Sequence, residues 1–301
     1  MNDATAPARK KASDFHPRLL ELFDGYVHGK MSKRAFLDHA AKYTAAGVTG
    51  AAVLRALQPD YALAQQVAPD DPAIATETAS YPSPEGHGTV SGLMARPAGA
   101  AGPLPAVLVI HENRGLNPYI ADVVRRLAKV GYLAFGPDGL SPLGGYPGND
   151  DDGRAMQSSM DGARLMADFF AAYEFLRDHP ASTGKVGAVG FCYGGGVCNA
   201  LAVAYPGLSA AVPFYGRQPD AADVPAIEAP LMLHYAGLDE RINAGWPAYE
   251  AALKEHGKDY VVYFYEGVNH GFHNDSTPRY DAAAADLAWE RTLAHFARHL
   301  A

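Results

Sequence analysis

The chain has 301 residues, 48% of them hydrophobic, enough to bury a full core and to hold one catalytic domain with an appendage. A formal net charge of -8 gives it no electrostatic reason to bind nucleic acid or an anionic membrane surface. Its 2 cysteines, Cys192 and Cys198, are too few for a disulfide scaffold, and no apolar run approaches the ~20 residues of a membrane span.

In chain order, residues 14–29 read as a helix that Asp14 can cap, with Leu19, Leu20, Phe23, Tyr26 and Val27 on an apolar stripe. Ser32 is placed to cap a second, longer helix running to about Leu57. This stretch also carries an export-like pattern. SKRAFL (32–37) is one residue from a twin-arginine motif, with Lys33 in place of the first arginine. YTAAGVTGAAVL (43–54) is uncharged, and Ala62-Leu63-Ala64 mimics a cleavage site. The incomplete arginine pair and the interrupting Arg55 count against export. The expected location is therefore cytoplasmic, with a periplasmic alternative if residues 32–64 act as a degenerate twin-arginine signal. Residues 1–72 thus read as a helical extension that stays attached, its stripe buried against the rest of the chain or a second subunit. APDDP (68–72) reads as a linker or turn.

Residues 73–301 alternate strands and helices. Strands are predicted at 89–97, 104–112, 132–138, 185–191, 209–216, 230–237 and 260–267. Helices are predicted at 118–130, 160–178, from Cys192 onward, at 245–256 and at 282–299. GLSPLGGYPGNDDDGRAMQ (139–157) reads as a long loop. This texture predicts an α/β fold, a mostly parallel sheet covered by helices on both faces.

The sharpest local feature is GFCYGGG (190–196), between a strand and a helix. G-x-C-x-G is the cysteine form of a nucleophile elbow. Gly190 and Gly194 give the turn room, and the thiol of Cys192 stands at a helix N-terminus, where the dipole favours an anion. The Tyr193 backbone N–H faces a developing oxyanion there, and that of Asn113, at the end of an earlier strand, can supply the second donor. Cys198 fits a buried, inert thiol. Asp239 in GLDE (237–240) and His270 in VNHGFHND (268–275) each follow a strand, and the order nucleophile, acid, histidine is that of an α/β-hydrolase triad. Glu112, in HENRGLN (111–117), has the bland reading of an ion pair with Arg114. His270 and His273 form H-x-x-H, but the triad accounts for His270 and the spacing is not the helical one of a metalloprotease, so neither metal nor cofactor is expected.

Together HENRGLN, GFCYGGG, GLDE and VNHGF resemble the dienelactone hydrolase family of α/β-hydrolases over roughly residues 74–301, and the long N-terminal helical segment resembles that of its YghX-type subgroup. The resemblance implies a carboxymethylenebutenolidase-like hydrolase in which Cys192 attacks an ester or lactone carbonyl, His270 and Asp239 complete the triad, and an acyl-enzyme thioester forms. It further implies that Glu112 bonds the resting thiol and takes its proton, with Asn113 and Tyr193 as oxyanion-hole amides. Thioester cleavage shares this chemistry, and a non-catalytic homologue that binds small molecules in the same cleft is the reading from another class. Four residues past the histidine, where the family places a carboxylate-binding arginine, this chain has Asn274, and Arg154 or Arg217 would have to reach in from its own loop to replace it. The expected partner is therefore a neutral or weakly charged small-molecule ester or lactone, and the sequence leaves room for a homo-oligomer.

Overall fold

A computed structural model describes residues 9–45 and 47–301. Eight strands form one sheet: β1 (Ile74–Ser83), β2 (Gly88–Pro97), β3 (Leu104–Ile110), β4 (Leu133–Pro137), β5 (Ser182–Phe191), β6 (Ala210–Phe214), β7 (Leu231–Ala236) and β8 (Tyr260–Tyr265). The order is β1-β2-β4-β3-β5-β6-β7-β8. Only β2 pairs antiparallel, with β1 and β4, and every other neighbour is parallel. This is the mostly parallel, helix-flanked sheet of an α/β-hydrolase. The central strands β3, β4, β5, β6 and β7 read as apolar runs because both their faces are covered. One face carries α6 (Gly162–Arg177), α7 (Tyr193–Ala204) and α9 (Trp246–Glu255); the other carries α4 (Pro118–Lys129) and α10 (Ala282–His299).

β1 and a helix inside 139–157 are among the elements not foreseen. β1 is an edge strand, exposed at most positions, so it lacks the apolar alternation that announces a half-buried strand. The stretch 139–157 is not all loop: α5 (Asp150–Ser159) begins inside it. Asn149 caps α5 by accepting from the Asp152 N–H at 2.9 Å, and Asp150, Asp151 and Asp152 fill its first turn. Acidic residues suit a helix N-terminus, yet in sequence the same run looks like a polar loop.

The N-terminal helices differ most from expectation. The first, α1 (Pro17–Val27), starts at Pro17 rather than Asp14, with the His16 ring accepting from the Arg18 N–H at 3.1 Å. The long second helix is in fact two. Ser32 does cap α2 (Lys33–Ala40), accepting from the Ala35 N–H at 3.2 Å. The chain then turns through Gly47, at a φ of +88°, and Thr49 caps α3 (Gly50–Leu57). A Cβ at Gly50 would lie 2.4 Å from the Leu37 carbonyl oxygen, so only glycine lets α3 fold back onto α2 this closely. The apolar stripe of α1 is buried mainly among these three helices themselves, with Phe36, Ala40, Val53, Leu54 and Leu57, rather than on the sheet. The passage to β1 is tied down by ions: Asp122 accepts from the Val67 N–H at 2.9 Å, and Arg126 bridges Asp122 and Asp275 at 2.6 Å each. Among the described residues no helix is long and apolar enough to cross a membrane.

Candidate active site

The strand–turn–helix at β5–α7 explains the glycines of GFCYGGG. Cys192 sits at φ 56°, ψ -110°, a left-handed conformation that costs a non-glycine residue energy and is held by its surroundings. Its N–H donates to the Phe214 carbonyl of β6 at 3.0 Å. A Cβ at Gly190 would lie 2.1 Å from the Gly194 oxygen, one at Gly194 2.3 Å from the Ile110 oxygen, and one at Gly195 2.6 Å from the Phe214 oxygen. The turn is therefore wedged between β3 and β6, and a side chain at any of the three positions would push the sulfur out of place. Among the described residues the Asn113 and Tyr193 N–H groups donate to no other group.

His270 and Asp239 come together as the sequence order implied. The His270 Nδ1 lies 2.5 Å from the Asp239 Oδ2, both side chains buried. Asp239 also caps α8 (Glu240–Asn243), accepting from the Ile242 N–H at 3.2 Å, which fixes the carboxylate. The His270 Nε2 is buried without a hydrogen-bond partner among the described residues.

Glu112 is buried one residue before Asn113, but it does not hold the thiol. Its Oε2 accepts from the Asn274 Nδ2 at 3.1 Å and lies 3.7 Å from the Arg114 Nη2. Asn274 is thus engaged with Glu112. Arg114 is also paired with Asp150 at 2.5 Å. Burial raises the Glu112 carboxyl above its ordinary range, against the pull of Arg114.

The group that does meet the sulfur is His28, the residue that closes α1. Its Nε2 lies 3.3 Å from the Cys192 Sγ, and its Nδ1 lies 2.8 Å from the Asp24 carbonyl oxygen and 3.1 Å from the Asp24 Oδ1. The His28 and His270 rings meet edge to face at 4.8 Å between centroids. Arg241 reaches both, its Nη2 3.3 Å from the His28 Nε2 and 3.4 Å from the His270 Nδ1. The sequence holds one signal for His28: Asp24 and His28 stand four apart on a helix, the spacing of a side-chain pair. Nothing in it says which surface that helix meets.

The site's charges follow from this packing. Burial opposes ionisation of Cys192, but the His270 and His28 cations outweigh it and hold the thiol well below its usual range. Burial likewise works against the His270 cation, yet the Cys192 thiolate and Asp239 push it up to about 10. His28 is raised against its own burial by Cys192 and Asp24. Asp24 is held far below the carboxylate range, because His28, His270 and Arg279 outweigh its burial.

The Cys192 sulfur and one nitrogen each from His28 and His270 lie within 4.8 Å of one another, but the Arg241 guanidinium already places a cation there, and we assign no metal. His273 is not a second donor: it pairs with the Tyr119 hydroxyl at 2.6 Å, and burial drives its pKa to about 3. His111 is engaged on both sides, with the Glu112 carbonyl at 2.6 Å and the Gly139 N–H at 3.0 Å. Cys198 is a fully buried free thiol, which burial pushes well up.

Beside Cys192 opens a cavity of about 540 Å³ lined by Met166, Phe170, Tyr193, Val197, Ala200 and Arg217, among others. Arg154 does not reach it, being paired with Asp151 at 2.5 Å and lying over the Tyr26 ring at 4.5 Å.

Residues 90–300 match the dienelactone hydrolase family. The chain belongs to that family. It is thereby a hydrolase of the ester and lactone type. Residues 6–43 match a second pattern, described as YqhI-like. The "Putative hydrolase fragment YghX" of Escherichia coli (strain K12) is 58% identical over 114 residues, 38% of this chain and 97% of that one. A "Putative carboxymethylenebutenolidase" of Methylorubrum extorquens is 32% identical over 261 residues, 79% of this chain and 89% of that one. Among solved structures, a "Putative Dienelactone Hydrolase" from Klebsiella pneumoniae superposes with a TM-score of 0.64 at 27% identity, covering 74% of this chain and 99% of its own. In this chain residues 6–43 include Asp24 and His28 and lie outside the region matched to the hydrolase family.

Proposed function

We propose that the chain cleaves a carboxylic ester or lactone through a Cys192–His270–Asp239 triad and an acyl-enzyme thioester. The observation that carries this is the strained elbow at Cys192, whose sulfur stands beside an imidazole fixed on its far side by a buried carboxylate at 2.5 Å. The thiolate attacks the carbonyl carbon, and the carbonyl oxygen gathers charge facing the Asn113 and Tyr193 amides. An imidazolium beside the sulfur protonates the departing alkoxide. His270, held by Asp239, then removes a proton from water, which attacks the thioester and releases the acid.

The substrate class we infer is neutral or weakly charged. A substrate carboxylate entering the cavity loses hydration and needs a charged donor to recover that cost. Arg114 is already paired with carboxylates, Arg279 and Arg241 face Asp24 at 3.5 Å, and Arg217 shares the cavity lining with Asp220 and Asp223. Hydrolysis of an activated aryl ester, with and without prior thiol alkylation, tests the proposal. Loss of activity on alkylation, and its absence in Cys192→Ala, is the expected result; an active Cys192→Ala enzyme would end this reading.

A further inference from the structure

We propose that His28, backed by Asp24, is the resting-state base of the nucleophile: it takes up the Cys192 thiol proton and holds the thiolate until substrate arrives. The N-terminal helix α1 is then part of the catalytic site. This rests on the reading of Cys192 as nucleophile, and it gives to His28 the resting contact that the family resemblance implied for Glu112.

Three observations carry it. First, Sγ lies within hydrogen-bonding distance of the His28 Nε2, at 3.3 Å, while Glu112 is engaged with Asn274. Second, the tautomer is fixed. With the Nδ1–H donating to Asp24, the Nε2 lone pair faces both the thiol and the Arg241 guanidinium, each at 3.3 Å, and the Asp24 carboxylate stands ready to stabilise the cation. Third, His28 closes α1, its own N–H donating to the Asp24 carbonyl, and a helix C-terminus favours a positive charge. The step balances within the pair: the S–H bond breaks, an Nε2–H bond forms, and the electron pair stays on sulfur.

The placement of α1 is specific. The Val27 carbonyl accepts from the Asn113 Nδ2 at 2.8 Å, Lys33 pairs with Asp151 at 2.9 Å, and Asp24 lies 3.5 Å from both Arg241 and Arg279. The end of α1 is thereby bonded to the residue whose amide we assign to the oxyanion hole. The charged and titratable groups around the sulfur and His28 are Asp24 from α1, Glu112 and Arg114 after β3, and Tyr215 after β6. Asp239 and Arg241 join them around α8, and His270 and Arg279 between β8 and α10.

The test is the pH profile of iodoacetamide alkylation of Cys192 in the full chain carrying Cys198→Ala, read by intact mass. His28→Gln keeps a polar side chain of similar size and removes the charge; His28→Ala removes both. We expect each to raise the apparent thiol pKa by about one unit or more, and to slow alkylation about tenfold at acidic pH. Asp24→Asn should move it the same way by less. His28→Gln should also slow the acylation half-reaction and leave deacylation close to the parent. An unchanged thiol pKa in Asp24→Asn and in whichever His28 variants retain the parent's melting profile would overturn the proposal and leave α1 as a mere cover. The titration reports on the sulfur whether or not an ester is turned over, so it fails separately from the nucleophile assignment, which Cys192→Ala hydrolysis decides.

Discussion

The sheet-borne half of the site and the helix-borne half are built by different means. Cys192, Asp239 and His270 each stand just past the carboxyl end of a parallel strand, and the backbone of the sheet sets their separation. His28 arrives on a short helix whose core is its own and whose hold on the rest of the molecule is mostly polar. On the proposed mechanism the triad stands on the sheet and the resting proton acceptor on a helix, so that one reaction is divided between two structural units. The first should resist perturbation and the second should be removable while leaving the first folded.

The largest expected effect belongs to the sheet half. His270→Ala should lower kcat/KM on an aryl ester by several orders of magnitude, because members of a triad act as a unit. A loss of less than about tenfold would mean that His28 alone suffices, and would dissolve the distinction between the halves. Next comes the helix half. Phe36 is fully buried in the three-helix cluster, and Phe36→Ala should cost it about 3–5 kcal/mol. We expect calorimetry to show a new low-temperature transition for these helices, with the sheet melting as before. One shared transition, displaced as a whole, would instead show that the two units fold as one.

Smaller effects sharpen the boundary between them. On this account the thiolate persists well below the free thiol's range, because the neighbouring His270 and His28 cations lower Cys192 against its burial. Alkylation of Cys192 should therefore stay fast well below pH 7, where a free thiol with a pKa of about 8.5 slows tenfold per unit. Glu112→Gln, which keeps the hydrogen-bonding shape toward Asn274, should slow acylation by less than His28→Gln does in stopped-flow measurements. Smallest of all, a lactone methyl ester should be preferred over its free acid by a few-fold in kcat/KM, and a preference for the acid would identify Arg217 as its anchor.

The same division governs what the sequence discloses. The elbow is legible because crowding dictates its glycines: Gly190, Gly194 and Gly195 stand where any Cβ would strike backbone. The helices 118–130 and 282–299 are legible from their apolar spacing and end within a residue of the observed α4 and α10. What fails to show is tertiary. The break between α2 and α3 depends on Gly50 approaching the Leu37 backbone, a contact with no local signature. α5 hides behind an acidic first turn, and β1 behind an exposed edge. His28 is hidden most completely, because a histidine at the end of a helix acquires its chemistry only from the partner on which the helix docks. The export-like pattern at 32–64 illustrates the converse: SKRAFL has a structural use here, since Ser32 caps α2 and Lys33 pairs with Asp151.

The central claim is that Cys192 carries the acyl group, and its most direct test is intact-mass measurement of rapidly quenched enzyme during turnover of an activated aryl ester. The chain should gain the mass of one acyl group, mapped to the peptide holding Cys192, and the adduct should be absent from Cys192→Ala and present in Cys198→Ala. Turnover by wild type with no adduct at Cys192, or an equal adduct in Cys192→Ala, would contradict the account.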